Sequence, residues 1–140
     1  MATIHLCGGL EHLATIRTFV TQTSRDLGVD ERDVCDLSLA VEEICANVFI
    51  HGYDRQGGRI DVTVEPTRDG IQASVRDWGK TFDPQQVPVP DVKCCLAERP
   101  VGGLGLFLVR QVMDDVRFEF DGEQGNVVTM VKRTREGGAR

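Results

Sequence analysis

Two carboxylates, an amide and a run of glycines are the parts of this sequence best placed to do chemistry. Glu43, Asn47 and His51 recur every fourth residue within LAVEEICANVFIHG, so on a helix they share one polar stripe beside an apolar one. A carboxylate one turn from an amide suits a general base next to a hard-cation ligand. Taken singly, the stripe also reads as a solvated helix face, although Asn in mid-helix is a poor helix former. Asp77-Trp78-Gly79 closes an alternating apolar stretch. An Asp at a strand end can accept a hydrogen bond from an exocyclic amine such as that of adenine, and a glycine beside it lets a ring lie against the backbone; Asp-x-Gly is equally a common turn. Gly102-Gly103-Leu104-Gly105 opens an amphipathic run. Glycines at a helix start let the backbone approach phosphates, and the free N–H groups and helix dipole favour that charge. The same glycines also suit a hinge for the preceding loop. Neither the Gly-Lys-Ser/Thr of a Walker loop nor the GxGxxG of a dinucleotide fold is present.

The elements that must position these residues appear as periodicities. Ile4 and Leu6 ahead of Gly8-Gly9 predict a first strand over residues 2–7. Leu10, Leu13, Ile16, Phe19, Val20 and Leu27 predict a helix that stops at Gly28. Val34, Leu37, Val41, Ile44, Cys45 and Val48 predict a second helix, capped by Asp30 or Asp33 and ended by Gly52. It carries the Glu43 stripe. Ile60, Val62 and Val64, then Ile71, Ala73 and Val75, predict antiparallel strands joined at Arg68-Asp69-Gly70. From Lys80 to Val101 periodicity vanishes among Pro84, Pro88, Pro90 and Pro100, and a loop this long reads as a lid. A third helix on Leu104, Phe107, Leu108, Val109, Val112 and Met113 follows, then strands around Val116-Phe118-Phe120 and Val127-Thr129-Val131. Residues 1–133 read as a single domain and 134–140 as a polar tail. This order predicts an α+β two-layer sandwich, with helices packed on one face of a mostly antiparallel sheet.

A chain of 140 residues with 41% hydrophobic and 27% charged residues can bury one core. Its net charge of -6, without a Lys/Arg cluster, argues against direct nucleic-acid binding. An anionic ligand would then need backbone N–H groups and a metal ion. No run of eighteen apolar residues and no signal-like N-terminus occur, which predicts no membrane span or secretion. Cys7, Cys35, Cys45, Cys94 and Cys95 are odd in number and lack a CxxC spacing; they predict idle thiols in a reducing cytoplasm.

Taken in order, Glu-x-x-x-Asn on a helix, Asp-x-Gly at a strand end, a long loop and Gly-x-Gly on the next helix resemble the N, G1 and G2 boxes of the GHKL (histidine kinase-like) ATPases. NVFIHGY and GGLGLFLVRQVMDDV share in this resemblance, which spans Val29 to Lys132. The short chain is most similar to the anti-sigma factor serine/threonine kinases among them. The resemblance implies ATP/ADP and Mg²⁺ as cofactors, with Glu43 as catalytic base and Asn47 as magnesium ligand. It implies Asp77 and Gly79 for adenine, and Gly103, Leu104 and Gly105 for phosphates. Arg99 stands near the place where some relatives carry an arginine before the phosphate loop. Thr81 replaces a frequent second glycine, and Asn126-Val127 stands where many relatives have Gly-Thr. The implied activity is phosphorylation of a small STAS-type anti-sigma factor antagonist, sequestration of a sigma factor, or both, with room for a homodimer. The alternative is a non-catalytic module whose lid is ordered by nucleotide and so selects a protein partner.

Overall fold

The computed structural model describes residues 1–80 and 105–133. Strand β1 (Ala2–Gly8) leads through a short 3₁₀ turn into helix α1 (Leu13–Asp26) and then α2 (Glu31–Asn47), which continues as a π-helical turn over Val48–Gly52. Strands β2 (Gly58–Pro66) and β3 (Gly70–Asp77), helix α3 (Gly105–Val112), and strands β4 (Asp115–Asp121) and β5 (Gly125–Arg133) follow. The five strands form one sheet in the order β1-β2-β3-β5-β4, every neighbouring pair antiparallel. The expected α+β sandwich is therefore present, with a sheet that is antiparallel throughout.

Period-two alternation decides which face of the sheet is covered. Ile60, Val62 and Val64 of β2, Ile71, Ala73 and Val75 of β3, and Val128 and Met130 of β5 are buried. They form one core with Ile16 and Val20 of α1, the stripe Leu37, Val41, Ile44 and Cys45 of α2, and Val109 of α3. The helices thus lie on one face. On the other, Thr3, Thr63, Ser74 and Thr129 occupy a single register row, and Thr3 and Thr63 share a hydroxyl hydrogen bond of 2.9 Å.

One local expectation changes, that of Leu27, and two points the sequence left open are decided by the fold. Val127, Thr129 and Val131 face away from the helices, while Val128 and Met130 enter the core opposite Val75 and Ala73. Apolar residues on both phases of β5 leave its facing to be decided by its pairing with β3. Leu27, counted in the first helix's apolar stripe, lies just beyond α1 and is 42% exposed. Asp30 takes the N-cap position of α2, and Asp33 sits buried in its first turn. The segment expected to be a lid lies outside the described residues, apart from Lys80.

Candidate nucleotide site

The apolar stripe of α2 packs on the sheet, and that packing sets the attitude of the polar stripe beside it. Glu43 is half-buried, with its Oε2 shut off from solvent. Its neighbour Glu42 is turned toward α1, where the Arg17 guanidinium donates to both its oxygens at 3.0 and 2.6 Å. Two adjacent glutamates thus have separate duties, as the roughly 100° rotation per helical residue requires.

Asn47 closes the α-helical part and is 1% exposed. Neither its Oδ1 nor its Nδ2 has a hydrogen-bond partner among the described residues. A buried polar group left so costs about 1–3 kcal/mol, and its carbonyl oxygen is a hard donor of the kind Mg²⁺ takes. Immediately after Asn47 the helix widens, with Tyr53 N–H bonded to the Val48 carbonyl at 2.9 Å. Such π-turns occur often at functional sites. His51 lies half-buried on this turn.

The second half of the site is the end of β3. Asp77 is 3% exposed and pairs in register with Asn126 of β5. Its Oδ1 accepts the Gly79 N–H at 2.9 Å and the Asn126 amide at 3.1 Å. The same Asn126 nitrogen donates to the Gly79 carbonyl at 3.0 Å. Both bonds therefore fall on Oδ1, and Oδ2 accepts none among the described residues. Burial pushes the Asp77 carboxyl above the ordinary carboxylate range, while the Asn126 and Gly79 donors pull it back. The Asn126 that departs from the relatives' Gly-Thr pattern is thus the side chain that orients Asp77.

The residues after the π-turn join the two halves. The Gly52 carbonyl accepts the Lys80 N–H at 2.8 Å. The Tyr53 hydroxyl donates to the Arg59 carbonyl at 2.6 Å and accepts the Trp78 N–H at 2.8 Å. A Cβ on Gly79 would lie 2.6 Å from the Gly52 carbonyl oxygen. Gly79 thus allows two backbones to meet closely. Cys45 is wholly buried between these parts, and burial, reinforced by the charges of Asp77 and Glu42, pushes its thiol up. It is an inert packing residue.

Of the residues singled out in the sequence, the structure seats Glu43 and Asn47 one turn apart on α2 and Asp77 with Gly79 at the end of β3; Gly105 begins α3. Gly103, Leu104 and Arg99 lie outside the described residues. Sequence reasoning missed the roles of Gly52, Tyr53 and Asn126. The signal for Tyr53 was available, since it is the sole tyrosine and directly follows the helix-ending glycine.

With this geometry the comparisons agree. The histidine kinase-like ATPase domain matches residues 8–132, and the chain belongs to that family. Curated relatives named serine-protein kinase RsbW, from Bacillus cereus and Bacillus thuringiensis subsp. konkukian, are 29% identical to it over 126 residues, covering 87% of this chain and 78% of theirs. A crystal structure of the RsbU and RsbW domains of Rv1364c from Mycobacterium tuberculosis shares the fold at a TM-score of 0.61 and 18% identity, over 96% of this chain. The match spans 33% of that longer chain. Among the described residues no helix is long and apolar enough to cross a membrane.

Proposed function

We propose that this chain binds Mg²⁺-ATP and transfers the γ-phosphoryl group to a serine or threonine of a small STAS-type anti-sigma factor antagonist, with sequestration of a sigma factor as its other activity. The observation that carries this reading is the buried Asn47 amide, which has no protein partner among the described residues and sits one turn from Glu43. Mg²⁺ usually binds through one or two protein groups plus phosphates and water, so a single amide suffices. That agrees with the absence, among the described residues, of any group of three or more His, Cys, Asp and Glu able to hold a metal. The bound ion would neutralise phosphate charge in a chain that carries -6 itself.

The protein's own groups divide the remaining work. Asp77 Oδ2 is directed to the exocyclic amine of adenine, with Oδ1 held by Gly79 and Asn126. Glu43 takes the proton of the incoming hydroxyl, while Glu42 stays with Arg17. Gly103, Leu104 and Gly105 are the proposed phosphate-binding residues, with Arg99 as a further candidate for binding the nucleotide. Phosphoryl transfer depends mainly on positioning and charge stabilisation, so these few groups can support it. The relatives' name, serine-protein kinase, supports the same class of acceptor.

Radiolabelled ATP and Mg²⁺, incubated with this protein and a panel of STAS-type antagonists, give a direct test. Label on a partner serine or threonine is expected. Nucleotide binding without transfer to any of them would leave the non-catalytic module instead.

A further inference from the structure

A lysine stands in the β5 position where alternation would put an apolar residue. Lys132 follows Val128 and Met130 on the helix-covered face, opposite Ile71, and is 8% exposed. Its ammonium donates to the carbonyl of Val112, the last residue of α3, at 2.6 Å. It also lies 3.0 Å from Asp36 Oδ2 on α2. One cation thus joins the strand, the C-terminal end of α3 and the helix that bears Glu43 and Asn47. A charge this buried persists only when paired and hydrogen-bonded, and a cation at a helix C-terminus complements the dipole.

The neighbouring bonds act on the same end of α3. Asp114 N–H donates to the Val131 carbonyl at 3.0 Å, and Arg133 N–H donates to Asp114 Oδ2 at 2.6 Å. With eight residues, α3 is about 12 Å long. A tilt of about 10° about its C-terminal end would move Gly105 by about 2 Å, a misplacement on the scale that costs a hundredfold where phosphates must be aligned.

We infer that Lys132 is a positioning residue: by clamping the C-terminal end of α3 to Asp36 of α2, it sets the glycine-bearing start of α3 against the Glu43–Asn47 stripe. The consequence for phosphates rests on the proposed nucleotide site. Loss of the clamp should weaken binding of the phosphates and spare that of adenine, whose proposed contacts lie at the ends of β3 and β5.

The test uses the full chain with Lys132→Met, Lys132→Arg and Asp36→Asn. Hydrogen exchange of the α3 amides, without nucleotide, should quicken at least tenfold in Lys132→Met while α1 amides keep their rates. Calorimetric titration should show ATP affinity with Mg²⁺ falling at least tenfold and adenosine affinity staying within twofold. Lys132→Arg should restore most of both, and Asp36→Asn, at a solvent-accessible carboxylate, should shift both in the same direction by less. Equal changes in α1 and α3, or equal losses for ATP and adenosine, would overturn the clamp. If Lys132→Met does not fold, Asp36→Asn decides by the same two comparisons. A wild type that binds neither ligand would overturn the nucleotide reading and the phosphate consequence with it, while the exchange arm still decides whether Lys132 holds α3.

Discussion

The two ends of the site are built on opposite terms. At the end of β3, Asp77, Gly79 and Asn126 satisfy one another, and Tyr53 and Gly52 brace the turn from outside. Along α2, by contrast, Asn47 is as deeply buried as Asp77 but keeps both amide atoms without a partner among the described residues. A hydrogen-bonded cluster is rigid before any ligand arrives, whereas an unsatisfied buried group is a standing cost that a ligand removes. The Asp77 end is therefore preorganised, and the Asn47 end is left for a ligand to complete under the proposed function.

The largest expected effect falls on the α2 side. Glu43→Gln keeps size and helix geometry and removes only the basic oxygen, so transfer to a partner should drop roughly a hundredfold or more while nucleotide binding persists. Steady-state phosphorylation alongside calorimetry separates the two, and unchanged transfer would remove Glu43 as the base.

Next in size is Asp77→Asn. The new Oδ1 can still accept from Gly79 and Asn126, but an amide N–H donor replaces Oδ2 and would meet the adenine amine donor to donor. ATP affinity should fall by about 1–3 kcal/mol, the cost of an unmade buried hydrogen bond. The same variant carries a pH signature. Because burial raises the folded-state pKa of Asp77, its stabilising contribution is full below the unfolded value near ~3.9 and is lost as pH rises through the folded value. The asparagine does not titrate, so denaturant melts should show Asp77→Asn gaining on wild type between acid and neutral pH. A difference that is flat with pH would contradict the buried, ionised carboxylate.

Asn47→Leu sharpens the contrast from the other side. An apolar side chain of similar size removes the unsatisfied amide, so without nucleotide the protein should gain about 1 kcal/mol in a denaturant melt. Mg²⁺ should then no longer strengthen nucleotide binding. A loss of stability would mean that Asn47 is already satisfied. The smallest change is expected from Tyr53→Phe, which removes the hydroxyl between Trp78 and Arg59 and should cost about 0.5–1.5 kcal/mol in thermal unfolding, with a modest loss of ATP affinity.

How far each part could be read in advance follows the range of the interactions behind it. The Glu43–Asn47 stripe was legible because it repeats within one strongly periodic helix, and Asp77 because it ends an alternating strand. Asn126 was noticed only as a departure from the relatives. Its bonds to Asp77 come from strand register across 49 residues, which local patterning does not contain. The facing of β5 was not legible for the same reason, since GNVVTMVK is apolar on both phases until β3 pairs with it. Lys132 was not singled out in the sequence, and only the packing of α3 and α2 around it brings its ammonium to Val112 and Asp36. The close approach of Gly79 to the Gly52 backbone is likewise a tertiary contact that local patterning does not contain.

The Asp77–Asn126 pairing also orders events during synthesis. β3 leaves the ribosome before β5, and the separation of 49 positions from Asp77 to Asn126 takes about 2–10 s at ~5–20 residues per second. Until then Asp77 has β2 beside it but lacks β5 and the amide that orients it. Nucleotide capture by a nascent chain should therefore begin only once residues beyond Asn126 have emerged, so that cofactor binding marks completion of the sheet rather than guiding it.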